Sequence, residues 1–144
     1  MKINRIDHVG INVIDLPAAT TFFLDLGLEM LGEGNVEGEW VDRVVGLNGV
    51  KSALVMLRTP DGETNIELVK FNTPSDEEGI RHSLANTLGI RHIAFVVEDV
   101  DAIVAKLQTK GVELVGEIQN YENIYKLCYV RGPEGIILEL AEEL

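Results

Sequence analysis

Two stretches of the chain repeat one pattern of apolar and polar positions. Ile6-Asp7-His8-Val9-Gly10-Ile11-Asn12-Val13-Ile14-Asp15 matches Ile90-Arg91-His92-Ile93-Ala94-Phe95-Val96-Val97-Glu98-Asp99, with His8 and His92 standing 84 positions apart (92 − 8). Period-two alternation with β-branched residues predicts a strand buried on one face. Each strand meets an Asp suited to capping a helix: Asp15 ahead of Leu16-Pro17, and Asp99 ahead of Val100-Asp101-Ala102. In the helices that follow, Leu16, Ala19, Phe23 and Leu26, and likewise Val100, Ile103, Val104 and Leu107, recur at steps of three and four and form one apolar stripe each. Gly27 and Gly111 stand where a left-handed residue closes a helix.

Strand-like runs come after each helix. They are Lys51 to Arg58 and Thr64 to Phe71 in the first half, and Val112 to Ile118, Tyr125 to Arg131 and Ile136 to Glu142 in the second. Leu28 to Gly34 supplies the first half's remaining strand. The turns Pro60-Asp61-Gly62 and Pro133-Glu134-Gly135 precede the closing strands. The pattern predicts an α+β fold of two βαβββ modules, about residues 5–71 and 90–143, within one domain spanning 1–144. The stretch 72–89 is read as the linker, with a short helix expected around His82.

Alternation also assigns faces. Val9, Ile11 and Val13 lie against the first helix, so His8, Gly10 and Asn12 point the other way; Ile93, Phe95 and Val97 leave His92 and Ala94 on the equivalent face. In the closing strands Ile66 and Leu68 flank Glu67, and Leu138 and Leu140 flank Glu139, which places each carboxylate opposite its apolar neighbours. Two imidazoles and two carboxylates on a largely apolar concave face suit one divalent metal, Ni²⁺, Zn²⁺, Co²⁺, Mn²⁺ or Fe²⁺, with positions left for water or substrate. A lone strand histidine is more often a packing or surface residue. The duplicated placement favours His8, Glu67, His92 and Glu139 as a ligand set instead. Gly62 to Glu67 is one residue longer than Gly135 to Glu139, and this predicts a β-bulge that re-aims Glu67.

Composition narrows the partners. With 46% hydrophobic residues among 144, the chain is long enough to bury its own core. An excess of 24 acidic over 12 basic residues, a formal net charge of −12, argues against nucleic acid and anionic lipid. The single cysteine, Cys128, permits no intrachain disulfide, and no apolar run is long enough for a membrane span, so a cytoplasmic protein is expected. Cys128 alternates with Leu127 and Tyr129 and is expected to pack rather than react; His82 is expected at the surface. Trp40, Tyr121, Tyr125 and Tyr129 are candidates for pocket walls, although core or interface is their commoner role.

From Ile6 to Glu142 the sequence resembles the vicinal oxygen chelate superfamily, the glyoxalase, bleomycin resistance protein and extradiol dioxygenase group. The likeness rests on Ile6-Asp7-His8-Val9, Val13-Ile14-Asp15-Leu16, Phe22-Phe23 to Leu26-Gly27, Ile66-Glu67-Leu68, the second histidine strand, and Pro133-Glu134-Gly135 leading to Leu138-Glu139-Leu140. It implies two βαβββ modules in a half-open barrel around a metal site, with neighbouring substrate oxygens chelating the ion. The His-Glu-His-Glu set is most similar to glyoxalase I, which implies a metal-dependent lyase or isomerase: Glu67 or Glu139 removes a proton beside a carbonyl and the metal holds the enediolate. Glu139 is expected as the anchored ligand and Glu67 as the mobile base.

Asn12 stands where bacterial glyoxalase I commonly has an Arg that helps hold glutathione, so the likeness does not extend to that contact. The opening strand also resembles methylmalonyl-CoA epimerase, which removes an α-proton. An extradiol-type dioxygenase and a non-catalytic, ligand-sequestering protein of the bleomycin-resistance sort are the other readings. The partners expected are a small-molecule substrate and a second copy of the chain, forming a homodimer by covering exposed sheet edges.

Overall fold

The computed structural model describes residues 1–144, in two compact units, Met1–Gly79 and Ile80–Leu144. The first unit runs β1 (His8–Asn12), α1 (Leu16–Leu26), β2 (Glu29–Glu37), α2 (Glu39–Val45), β3 (Lys51–Arg58) and β4 (Asn65–Thr73). Its sheet has the order β1-β4-β3-β2, with β1 parallel to β4 and the remaining pairs antiparallel. The second unit runs β5 (His92–Val96), α3 (Val100–Gln108), β6 (Gln119–Tyr121), β7 (Tyr125–Arg131), a 3-10 turn at Pro133–Gly135 and β8 (Ile137–Glu143). Its sheet, β5-β8-β7-β6, repeats the first, again with one parallel pair, β5 with β8. These are two βαβββ modules, and the fold class is α+β as expected.

The helices form for the reasons legible in the sequence. The Asp15 carboxylate accepts from Ala18 N at 3.0 Å, and that of Asp99 from Ala102 N at 2.9 Å. Gly27, at φ 116°, ends α1 in a left-handed conformation that a side chain would strain, and Leu28 N then closes back on Phe23 O at 3.0 Å. Ala19 and Phe23 of α1 are fully buried against β3 and β4. On α3, Val100, Val104 and Leu107 are buried against β7 and β8. Ile66, Leu68, Leu138 and Leu140 complete the two cores.

Three expectations are corrected, and one helix appears that was not expected. The strand expected over Val112 to Ile118 is a single bridge, Leu114 with Val130, and the regular strand at that edge is β6, Gln119–Tyr121. Around His82 there is no helix, because side chains take up the backbone groups a helix would pair: Arg131 donates to Ser83 O, Arg91 donates to Leu88 O, and Leu84 N donates to Thr87 Oγ1. Helix α2 was not expected, since it buries only Val41 and its apolar residues make no inward stripe. The bulge expected near Glu67 is absent: Met56 pairs with Glu67 and Arg58 with Asn65 in unbroken register. The extra residue is absorbed by the hairpin loop, 59–64 here against 132–136 in the second module. There, Thr59 N donates to Thr64 O and Glu63 N to the Asp61 carboxylate, both at 3.0 Å, making a stable six-residue turn.

Candidate metal centre

Strand alternation places the four side chains as the sequence requires. Ile11 is buried while His8, Gly10 and Asn12 are exposed; Ile66 and Leu68 are buried while Glu67, between them, is half-buried. In β5 and β8 the same holds for His92, beside half-buried Ile93, and for Glu139, between buried Leu138 and Leu140. The parallel registers are equivalent: Gly10 lies opposite Glu67, and Ala94 opposite Glu139. Each histidine thus stands two residues before the small residue that faces the carboxylate. A Cβ added to Gly10 would meet nothing within 4 Å, so space remains beside the first pair.

In the first module His8 Nε2 is 3.8 Å from Glu67 Oε2; in the second His92 Nε2 is 3.9 Å from Glu139 Oε2. Both gaps exceed a hydrogen bond. Two donors each about 2.1 Å from a shared ion stand roughly 3.0 to 3.4 Å apart at octahedral or tetrahedral angles, so each pair lies about half an ångström wider than neighbouring ligands on one metal and closes to that spacing by a small side-chain shift. The donor chemistry fits as well, imidazole nitrogen and carboxylate oxygen being suited to divalent ions of the first transition row and zinc. Each module by itself supplies two donors, with no group of three or more His, Cys, Asp or Glu in ligating array.

The two histidines are held differently. His8 Nδ1 lies 2.8 Å from Asp7 Oδ2, and Arg5 holds the other Asp7 oxygen at 2.9 Å. The bond from His8, and after it the charge of Arg5, hold the Asp7 carboxyl below its ordinary range. A neutral His8 donating from Nδ1 keeps its lone pair on Nε2, the atom nearer Glu67, which is how carboxylates orient metal-bound imidazoles. His92 has no such neighbour, since Arg91 replaces Asp. Its ring instead lies against Tyr129, with centroids 4.8 Å apart and planes inclined by 39°. Tyr129 pairs with Glu139 across β7 and β8, as Met56 pairs with Glu67.

Sequence reasoning missed the part of Asp7, whose signal was its place immediately before His8. For Tyr129 the signal was its register opposite Glu139, which needs the strand pairing to be known. With the bulge gone, nothing in the backbone separates the roles of Glu67 and Glu139, whose side chains are 24% and 21% exposed. Trp40, Tyr121 and Tyr125 are exposed at the surface. Cys128 is buried, and that burial pushes its thiol pKa up, with the charges of Asp101 and Glu139 adding to it. It packs in the core of the second module.

The profile of the Glyoxalase/Bleomycin resistance protein/Dioxygenase superfamily matches residues 5–140. A glyoxalase family protein from Bacillus cereus is 47% identical, with a TM-score of 0.96 over 100% of this chain and 97% of that one. The trypanothione-dependent glyoxalase I of Leishmania major is 26% identical, with a TM-score of 0.69 over 98% of this chain and 88% of that one. A 2-epi-5-epi-valiolone epimerase from Actinomyces sp is 27% identical over 143 residues, 94% of this chain and 77% of the relative.

Proposed function

The chain belongs to the Glyoxalase/Bleomycin resistance protein/Dioxygenase superfamily, and on that premise we propose that it is a metal-dependent lyase or isomerase of the glyoxalase I type. It removes a proton beside a carbonyl of a small substrate. The observation carrying this reading is the repeated pair, His8 with Glu67 at 3.8 Å and His92 with Glu139 at 3.9 Å, in equivalent register. His8, Glu67, His92 and Glu139 are the proposed metal ligands. When bound, a divalent ion supplies the positive charge that stabilises an oxyanion on the substrate. The chain's own part is to hold the donors and move the proton. Glu67 and Glu139 are the carboxylates on these faces, and each is open enough to meet a substrate carbon.

Epimerisation next to a carbonyl uses the same proton removal, and the likeness to a named epimerase supports that variant of the reading. A cytoplasmic setting is part of the proposal, supported by a single buried thiol. No helix of the chain is long and apolar enough to cross a membrane.

Metal analysis of protein grown in mixed metals tests the reading first, with about one divalent ion expected per chain. The loaded protein is then screened against hemithioacetals and acyl-CoA thioesters, following deuterium uptake from solvent at the carbon beside the carbonyl. Glu67→Gln and Glu139→Gln are both expected to lower that exchange. If the protein holds no metal, and added Ni²⁺, Zn²⁺, Co²⁺ or Mn²⁺ leaves its melting temperature unmoved, a ligand-sequestering role replaces the enzyme.

A further inference from the structure

The second module has a half-open cavity of about 180 Å³ lined by Arg81, Ser83, Ile90, Arg91, Glu134 and the start of β8, whose Ile137 pairs with His92. Its volume is several times what one water occupies. Arg91 spends one donor, Nη2, on Leu88 O at 3.1 Å, while its Nε is buried with no hydrogen-bond partner, the one buried side-chain polar atom in the chain left so. That Nε has almost no accessible surface, so a group in the cavity would meet Arg91 at its terminal guanidinium nitrogens. The walls are braced. Arg131 Nη1 donates to Ser83 O at 2.5 Å and to Gly135 O at 3.2 Å, tying the 80–91 segment to the turn before β8. Glu134 sits at φ 55°, a left-handed conformation unusual for a residue other than glycine, and still contributes to the lining.

We propose that this cavity is an oxyanion subsite that takes one small carboxylate or phosphate group, with Arg91 and Arg81 as its charged partners. Guanidinium groups present paired donors that match either oxyanion. In a chain of net charge −12, two arginines against one glutamate make the cavity locally positive. Glu134 offsets part of that charge, which favours a singly charged group over a polyanion. Arg91 immediately precedes His92, so an occupant would also steady the strand that carries one proposed metal ligand.

The test uses the full chain freed of metal by chelator and then dialysed, so that no anion is read through a bound ion. Inorganic phosphate and acetate are titrated separately, with sodium chloride at matched ionic strength as the control, while the melting temperature is followed. A saturable rise with either anion beyond chloride is expected, and the anion that gives it names the ligand class. Arg91→Gln is expected to abolish the rise. Glu134→Gln is expected to tighten binding several-fold, a gain that poor folding cannot mimic. His8→Ala, which bears on the proposed metal site alone, is expected to leave anion affinity as in the parent. No saturable rise with either anion, an undiminished rise in Arg91→Gln, or weaker binding in Glu134→Gln or His8→Ala would each overturn the proposal.

Discussion

Asp7 holds His8 by its Nδ1 and is itself held by Arg5, whereas His92 leans on the ring of Tyr129. Carboxylates that orient a metal-bound imidazole typically matter by about 10–100-fold in affinity, so Asp7→Asn is expected to weaken metal binding by that order, read by competition with a chelating dye. Because the Asp7 carboxyl is depressed below 3.8, its interaction is fully present above that value and is lost only as pH falls through the lower, folded-state one. For Tyr129 the expectation separates ring from hydroxyl: Tyr129→Phe keeps metal affinity and Tyr129→Leu lowers it. Equal losses in both would move the effect to the hydroxyl. The candidate ligands were legible in the sequence because a strand's two-residue period fixes which side chains share a face. The support of His92 was not, since Tyr129 meets it through strand pairing across three strands.

Helix caps were equally legible, being local. Asp15→Ala and Asp99→Ala are each expected to cost about 1 kcal/mol, measured by denaturant unfolding. Helix α3 is further tied to its sheet by Glu142, which accepts from Val100 N at 2.9 Å, and by the ion pair of Lys126 with Asp101. Asp101, by its bond and its charge, raises the Lys126 ammonium above 10.5. A raised lysine contributes stability that is fully present below 10.5 and lost as pH rises through the higher, folded-state value. The melting temperature is therefore expected to fall above about pH 10.5, less steeply in Asp101→Asn. The elements misread were those without such local signals. In α2 only Val41 is buried, so no apolar stripe announces the helix. Between α3 and β7, a stretch with good strand propensity forms a bridge only, with Val115 N donating to Tyr129 O and Arg131 N to Glu113 O.

At the scale of the molecule, each sheet leaves one antiparallel edge, β2 and β6. Met30 and Leu31 of β2, and Trp40 and Val44 of the neighbouring α2, are exposed apolar side chains. We propose a homodimer on that basis. Light scattering at micromolar concentration is expected to give about twice the 15.9 kDa chain mass, and a monomer mass would refute it. The sequence by itself determined the duplicated modules, the two capped helices and the faces on which His8, Glu67, His92 and Glu139 lie, because periodicity and capping act within a few residues. Only the tertiary structure decided that Glu67 and Glu139 occupy equivalent registers in their own sheets, that Tyr129 lies against His92, and that Arg91 ends beside a cavity with a nitrogen unpaired. Those depend on which strand pairs with which and on how the 80–91 segment lies against β8, contacts between residues far apart in the chain that no local pattern encodes.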